Sequence, residues 1–166
     1  MSAELLFAVT NGIAMLAWVL LAVLPGRRWV TDSVTGKAVP ALFAVIYVAI
    51  VATTFAGSEG SFSTLAGVAA LFANPWLLLA GWLHYLAFDL LIGTWEARDA
   101  RERRVPHLLL VPCLFLTLMF GPAGWLLYMG VRKSGKGQVE TEGAEGTVNP
   151  LPPQPPLPIA RNRTSH

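Results

Sequence analysis

Residues 74–104 read NPWLLLAGWLHYLAFDLLIGTWEARDARERR. Asn74 before Pro75 is a helix start: a side-chain cap, then a residue whose missing N–H costs nothing in the first turn. From Trp76 the chain runs apolar to Trp95, 19 residues on, or about 28 Å of helix. That is close to the thickness of a bilayer's hydrocarbon core, and tryptophan favours both of its edges. The stretch therefore predicts a membrane-spanning helix that leaves the bilayer through EARDARERR. Two residues do not suit that reading. His84 falls near the bilayer centre, and Asp89 about 9 Å inside the Trp95 level. Each is costly in hydrocarbon, so each is a functional candidate. Glu96 falls at the interface and Asp99 beyond it. Both are expected to reach water and to pair with Arg103.

The rest of the chain fits this frame. Of the 166 residues, 54% are hydrophobic and 13% charged, with a net charge of +2; the mean hydropathy is +0.55. A soluble domain needs more charge than this to cover its surface. So small a net charge suggests no nucleic-acid partner. One cysteine, Cys113, excludes an intrachain disulfide.

The other apolar blocks run over about 5–24, 39–56 and 105–128. Pro25-Gly26-Arg27-Arg28 stops the first, the TDSVTGK stretch is a loop, and Gly121-Pro122 is expected to kink the last. Residues 61–73 are apolar but too short to cross. The fold class is thus all-α, an integral membrane bundle of four transmembrane helices with one short interfacial or re-entrant helix. The transmembrane domain covers 1–131. A Gly/Pro-rich tail, 132–166, is expected to be disordered, with polyproline character near 151–158 and a chance sequon at Asn162. No basic leader precedes the first block, which reads as a retained span.

Four spans place both termini on one side. Arg27, Arg28 and Lys37 lie in one loop and Arg98, Arg101, Arg103 and Arg104 in another. These seven cations oppose Arg132, Lys133 and Lys136 in the tail, so the positive-inside rule favours both termini outside.

On a helical wheel the third span collects His84, Tyr85, Asp89, Glu96 and Asp99 in one arc of about 140°. The opposite arc carries Leu83, Leu86, Ala87, Leu90, Leu91 and Ala97 and is expected to face lipid, with the polar arc inside the bundle. Asp89, His84 and Glu96 are the catalytic candidates. Tyr85, Asp99, His107, Asn11, Tyr47 and Thr117 are candidates to line a substrate site. There is no HxxxH, HxxHH or Glu-x-x-His pattern, so no metal is expected, and no cofactor is implied.

The pair NPWLLLAGWLHYLAFDLLIGTWEARDA and VPHLLLVPCLFLTLMFGPAGWLLY resembles the membrane family of the plant abscisic-acid-deficient-four protein, implicated in neoxanthin synthesis. Asn74-Pro75, Gly81-Trp82, His84-Tyr85, Phe88-Asp89, Arg98-Asp99, Pro106-His107 and Gly121-Pro122 carry the resemblance. It covers roughly residues 4–130 and none of the tail. It implies a multi-pass protein that acts on a xanthophyll in the membrane, or assists an enzyme that does. In plants the product arises from violaxanthin by isomerisation of an epoxide to an allene. The first residues do not read as a plastid transit peptide, so none is expected, and a bacterial inner (cytoplasmic) membrane is the expected location.

Such a rearrangement is redox-neutral. It needs one group to protonate the epoxide oxygen and another to take a carbon-bound proton, tasks suited to a buried carboxyl and a neutral imidazole. Two rivals stand beside this neoxanthin-synthase-like isomerase. One is a non-catalytic accessory protein or scaffold that presents a carotenoid or isoprenoid to a partner enzyme. The other is a small transporter, since intramembrane His and Asp also mark proton paths. Membrane lipid, an isoprenoid ligand and a partner enzyme are the expected partners.

Overall fold

The computed structural model describes residues 2–134, and they are helical almost throughout. Helix α1 spans Ala3–Val23, capped by the Ser2 hydroxyl, which accepts from the Leu5 N–H. Helix α2 spans Val39–Thr54 and α3 spans Leu65–Ala73. Helix α4 runs over 28 residues, Pro75–Glu102. Its start is as the sequence predicts: Asn74 Oδ1 accepts from Trp76 N at 2.9 Å, with Pro75 in the first turn. Its end is a Schellman turn. Arg104 takes a left-handed φ of 55°, and Val105 N donates to Ala100 O at 2.9 Å. Helix α5 spans His107–Phe120 and α6 spans Pro122–Ser134. Composition puts the end of the transmembrane domain at 131, but α6 runs on through Arg132 and Lys133. The proposed sequon and polyproline stretch lie outside the described residues.

Three helices are long and apolar enough to cross a membrane: Ala3–Val23, Val30–Gly57 and Pro75–Glu102. The second is longer than expected because the supposed loop is helical. Val30–Ala38 forms a π-helix that leads directly into α2. The wide turn frees backbone acceptors, which are then used. Thr35 Oγ1 donates to Val30 O at 3.1 Å, and the Arg98 guanidinium donates to Thr31 O.

The fourth apolar block does not form a span. At Gly121 the chain turns back on itself, and α6 packs along α5 as the second arm of a hairpin. Gly124 lies against the backbone of Thr117, so closely that a Cβ there would overlap it; in a continuous helix these positions are about 10 Å apart. The two arms also grip α4 at the same levels. Thr117 of α5 bonds Glu96, and Tyr128 and Arg132 of α6 bond Asp99. Tyr85 OH, lower on α4, donates to Leu118 O near the turn. Pro122 therefore marks a reversal rather than a kink: among the described residues three helices are long and apolar enough to cross a membrane, and a returning helical hairpin stands where the sequence predicts a fourth span.

This changes the topology. α1 runs parallel to α4, with Asn11 on Trp82 and Trp18 on Gly93. α2 runs antiparallel, with Thr35 on Thr94 and Tyr47 beside His84. Three long helices and the returning hairpin take the described chain from one end of α4 to the other, so its two ends lie at opposite ends of the bundle, where four spans would bring them together. Every Lys and Arg among the described residues then falls at the end where α4 finishes. The cations of α6 no longer oppose those of the loops.

Helix α4 is the central element, and both its faces are covered. Leu83, Leu86, Ala87, Leu90 and Ala97 were expected against lipid, but they are buried against α1, α2 and the π-helix; Leu91 alone of that arc is exposed. Apolar surface is equally at home against lipid or another helix, so the leucine face by itself could not tell which it meets.

Candidate functional site

The polar arc of α4 divides into two separate environments. His84 projects to the molecular surface, where α2, α3 and the first half of α4 enclose a groove of about 400 Å³. Val51, Leu71, Phe72 and Leu77 make much of its wall, and His84 and Tyr47 bring the polar groups. The imidazole lies 5.9 Å from the Tyr47 ring and 4.5 Å from Phe88, centroid to centroid. At the other end, Phe55 and Phe62 stack at 5.6 Å across the loop that leads into α3. His84 is eight residues above Trp76, or about 12 Å along the helix. The groove thus runs along the first half of α4, from Leu77 to His84.

The acids face the other way, toward the α5–α6 hairpin. Asp89 lies at its tip. Gly121 turns there with φ 42° and ψ −93°, a conformation open to glycine alone. A Cβ on Gly121 would stand 2.9 Å from Asp89 Oδ1, so the missing side chain makes room for the carboxyl. Asp89 Oδ2 is buried and has no hydrogen-bond partner among the described residues. His84 and Asp89 were expected to face one interior cavity, but Asp89 is not on the groove wall.

Glu96 is 0% exposed. Its carboxyl accepts from Thr117 Oγ1 at 3.0 and 3.1 Å and forms no ion pair among the described residues. The sequence predicts a hydrated Glu96 paired with Arg103; the hairpin instead closes over it and gives it Thr117. Asp99 is also buried, at 8% exposure. It accepts from Arg103 Nε at 2.9–3.0 Å, as the i,i+4 spacing predicts, from Tyr128 OH at 2.8 Å, and from Arg132 at 2.8 and 2.9 Å. Three partners use up its lone pairs. Asp99 ties α4 to α6, an architectural role that leaves it no lone pair for a substrate.

The remaining candidates scatter. Asn11 Oδ1 accepts from Trp82 Nε1 at 2.8 Å, fixing α1 to α4. Thr117 is buried as the partner of Glu96. His107 is exposed at the start of α5, at the cationic end, far along the molecule from His84. No group of three or more His, Cys, Asp or Glu among the described residues could hold a metal ion. Of the proposed residues, only His84 and Tyr47 share a cavity. Sequence reasoning missed Tyr128 and Arg132, the partners of Asp99. Their spacing of four on the last helix was a usable signal, but only once that helix is known to return to α4. It also missed the aromatic groove wall, since phenylalanines 55, 62 and 72 look like ordinary membrane residues.

The family model described as ABA DEFICIENT 4-like (ABA4-like) matches residues 5–128, so it covers all three spans and most of the hairpin. Comparison with curated proteins and with solved structures gives no match. The chain belongs to the ABA4-like family, and its long apolar helices are those of a membrane protein; the family suggests a link to carotenoid metabolism.

Proposed function

We propose that this ABA4-like protein takes one end of a carotenoid or related isoprenoid into the groove between α2, α3 and α4 and isomerises it there. The groove carries the reading. It is apolar, aromatic, open at the membrane surface and no deeper than half the bilayer, and it holds an imidazole. The end ring of a polyene of roughly bilayer length sits near an interface, and the groove begins at one. A redox-neutral opening of an epoxide to an allene requires only proton transfers. A carbon-bound proton leaves, the strained C–O bond breaks, and the oxygen gains a proton to become a hydroxyl. His84 is the titratable group on the groove wall and takes the first proton; the Tyr47 hydroxyl is placed to supply the second. Glu96, closed off by Thr117, has no part in this scheme, and Asp89 becomes the comparison residue.

A second reading is favoured by the scarcity of titratable groups on that wall. On this view the protein holds the pigment for a partner enzyme and performs no chemistry.

The test is turnover of an epoxide-bearing xanthophyll by purified protein in lipid nanodiscs, followed by chromatography of extracted pigment. His84→Phe should keep the pigment bound and lose at least about a hundredfold in rate, the usual scale for a general acid or base. Asp89→Asn should retain most activity. If Asp89→Asn abolishes turnover and His84→Phe does not, the chemistry belongs to the hairpin tip. Pigment binding without turnover by the unaltered protein would establish the accessory role.

A further inference from the structure

Nine Lys and Arg of the described residues lie at one end of the molecule, with three acids among them: Asp32, Asp99 and Glu102. Two of these acids are committed. Asp32 Oδ1 is 3.1 Å from Arg98 Nε, and Asp99 is held by Arg103 and Arg132. Glu102 is exposed and forms no ion pair among the described residues. Arg101 is the unusual cation. It lies in the last turn of α4, half-buried, and its Nη1 is sealed from the surface without a hydrogen-bond partner among the described residues. On the helix it continues the face of Leu90 and Ala97, which packs against Leu21 and Val30. That face and the parallel register of α1 put Arg101 at about the level of the turn that joins α1 to the π-helix, and that turn carries exposed Arg27 and Arg28. A sealed guanidinium N–H at the level of two further cations, with Asp32 and Asp99 paired and Glu102 exposed, has the chemistry of an anion site.

Depth identifies the anion. Trp95 marks the hydrocarbon edge, and Arg101 is six residues beyond it, about 9 Å, within the headgroup layer. Exposed Trp29, beside Arg28, anchors the turn at that same level. We propose that this end of the protein binds the phosphate of an acidic phospholipid, with Arg101 as the fixed ligand and Arg27 and Arg28 supplying charge from that turn. The site is independent of the groove and stands or falls separately from the function assigned to it.

The test uses the full chain in nanodiscs of phosphatidylcholine, with and without phosphatidylglycerol. Phosphatidylglycerol should raise the melting temperature by several degrees, and 0.5 M salt should remove part of the gain. Arg101→Gln should weaken binding of short-chain phosphatidylglycerol about tenfold, the loss of one charge-assisted hydrogen-bonding group. Arg101→Lys should recover only part of it, because an ammonium lacks the planar fork. Exposed Arg104→Gln is the control and should cost less than about twofold. Equal melting temperatures in the two lipids, or equal losses for Arg101→Gln and Arg104→Gln, overturn the proposal. So does inorganic phosphate at millimolar concentration giving the whole stabilisation, which would mark a free-anion site. The chain's own Glu140, Glu142 and Glu145 are the remaining rival. If changing all three to Gln lowers stability in phosphatidylcholine as much as Arg101→Gln does, those acids are the occupant and the lipid is not.

Discussion

Glu96 and Asp99 are three residues apart on one helix, both buried, and their surroundings give them opposite sensitivities. Asp99 offsets two guanidinium charges and a tyrosine hydroxyl. Asp99→Asn leaves Arg103 and Arg132 without their counter-charge; both arginines are partly exposed, so the loss falls short of that of a fully buried pair but exceeds that of a surface one. The melting temperature in detergent should fall steeply. Tyr128→Phe removes one hydrogen bond to the same carboxylate and should cost about 1–3 kcal/mol. Glu96 has no cation to lose. Its contact is the Thr117 hydroxyl, which the amide oxygen of Gln accepts equally well, so Glu96→Gln should stay within about 1 kcal/mol of the parent. A collapse in Glu96→Gln matching that in Asp99→Asn would show that Glu96 carries a charge balanced by something beyond Thr117.

The hairpin of α5 and α6 depends on two glycines for different reasons. Gly121 supplies a backbone conformation that side chains resist, and its bare Cα leaves room for Asp89. Gly121→Ala should therefore cost about 1–3 kcal/mol of strain. Gly124 has no such conformational demand; it lets α6 lie directly on the backbone of Thr117. Gly124→Val should separate the arms and expose the Thr117–Glu96 bond, with a larger loss than Gly121→Ala. Thermal unfolding measured together with protease sensitivity near residue 121 distinguishes the two. If Gly124→Val unfolds as the parent does, the arms are not in contact there. A half-helix pair ending at mid-depth is tolerable in a bilayer only because protein covers the turn, and the polar face of α4 does this.

At the scale of the whole molecule, three long apolar helices and a returning hairpin make a testable topological prediction. In a Cys113→Ala background, Gly26→Cys and Lys133→Cys should label from the same side of the membrane, and Ser58→Cys from the other. Four spans require Lys133→Cys to label with Ser58→Cys, and that result would defeat the hairpin. Because all the described cations share the side of Gly26, the positive-inside rule puts that side in the cytoplasm and the start of α1 outside.

The sequence by itself determined the helices. Long apolar runs have to be helical in a membrane, since each segment must satisfy its own backbone. Asn74-Pro75 and Pro25-Gly26 are local signals that mark boundaries regardless of fold, and residues 61–73 form only a nine-residue helix, Leu65–Ala73, shorter than a span requires. It also marked the break at Gly121-Pro122. What the chain does at that break was not local information. A kink and a reversal use the same two residues, and the choice rests on contacts between distant parts: Gly124 on Thr117, Thr117 on Glu96, Arg132 and Tyr128 on Asp99. The tertiary structure alone also decided which acids are buried and that the leucine face of α4 packs on other helices. A leucine face satisfies either neighbour, and a carboxylate's partners come from helices that the sequence places far away.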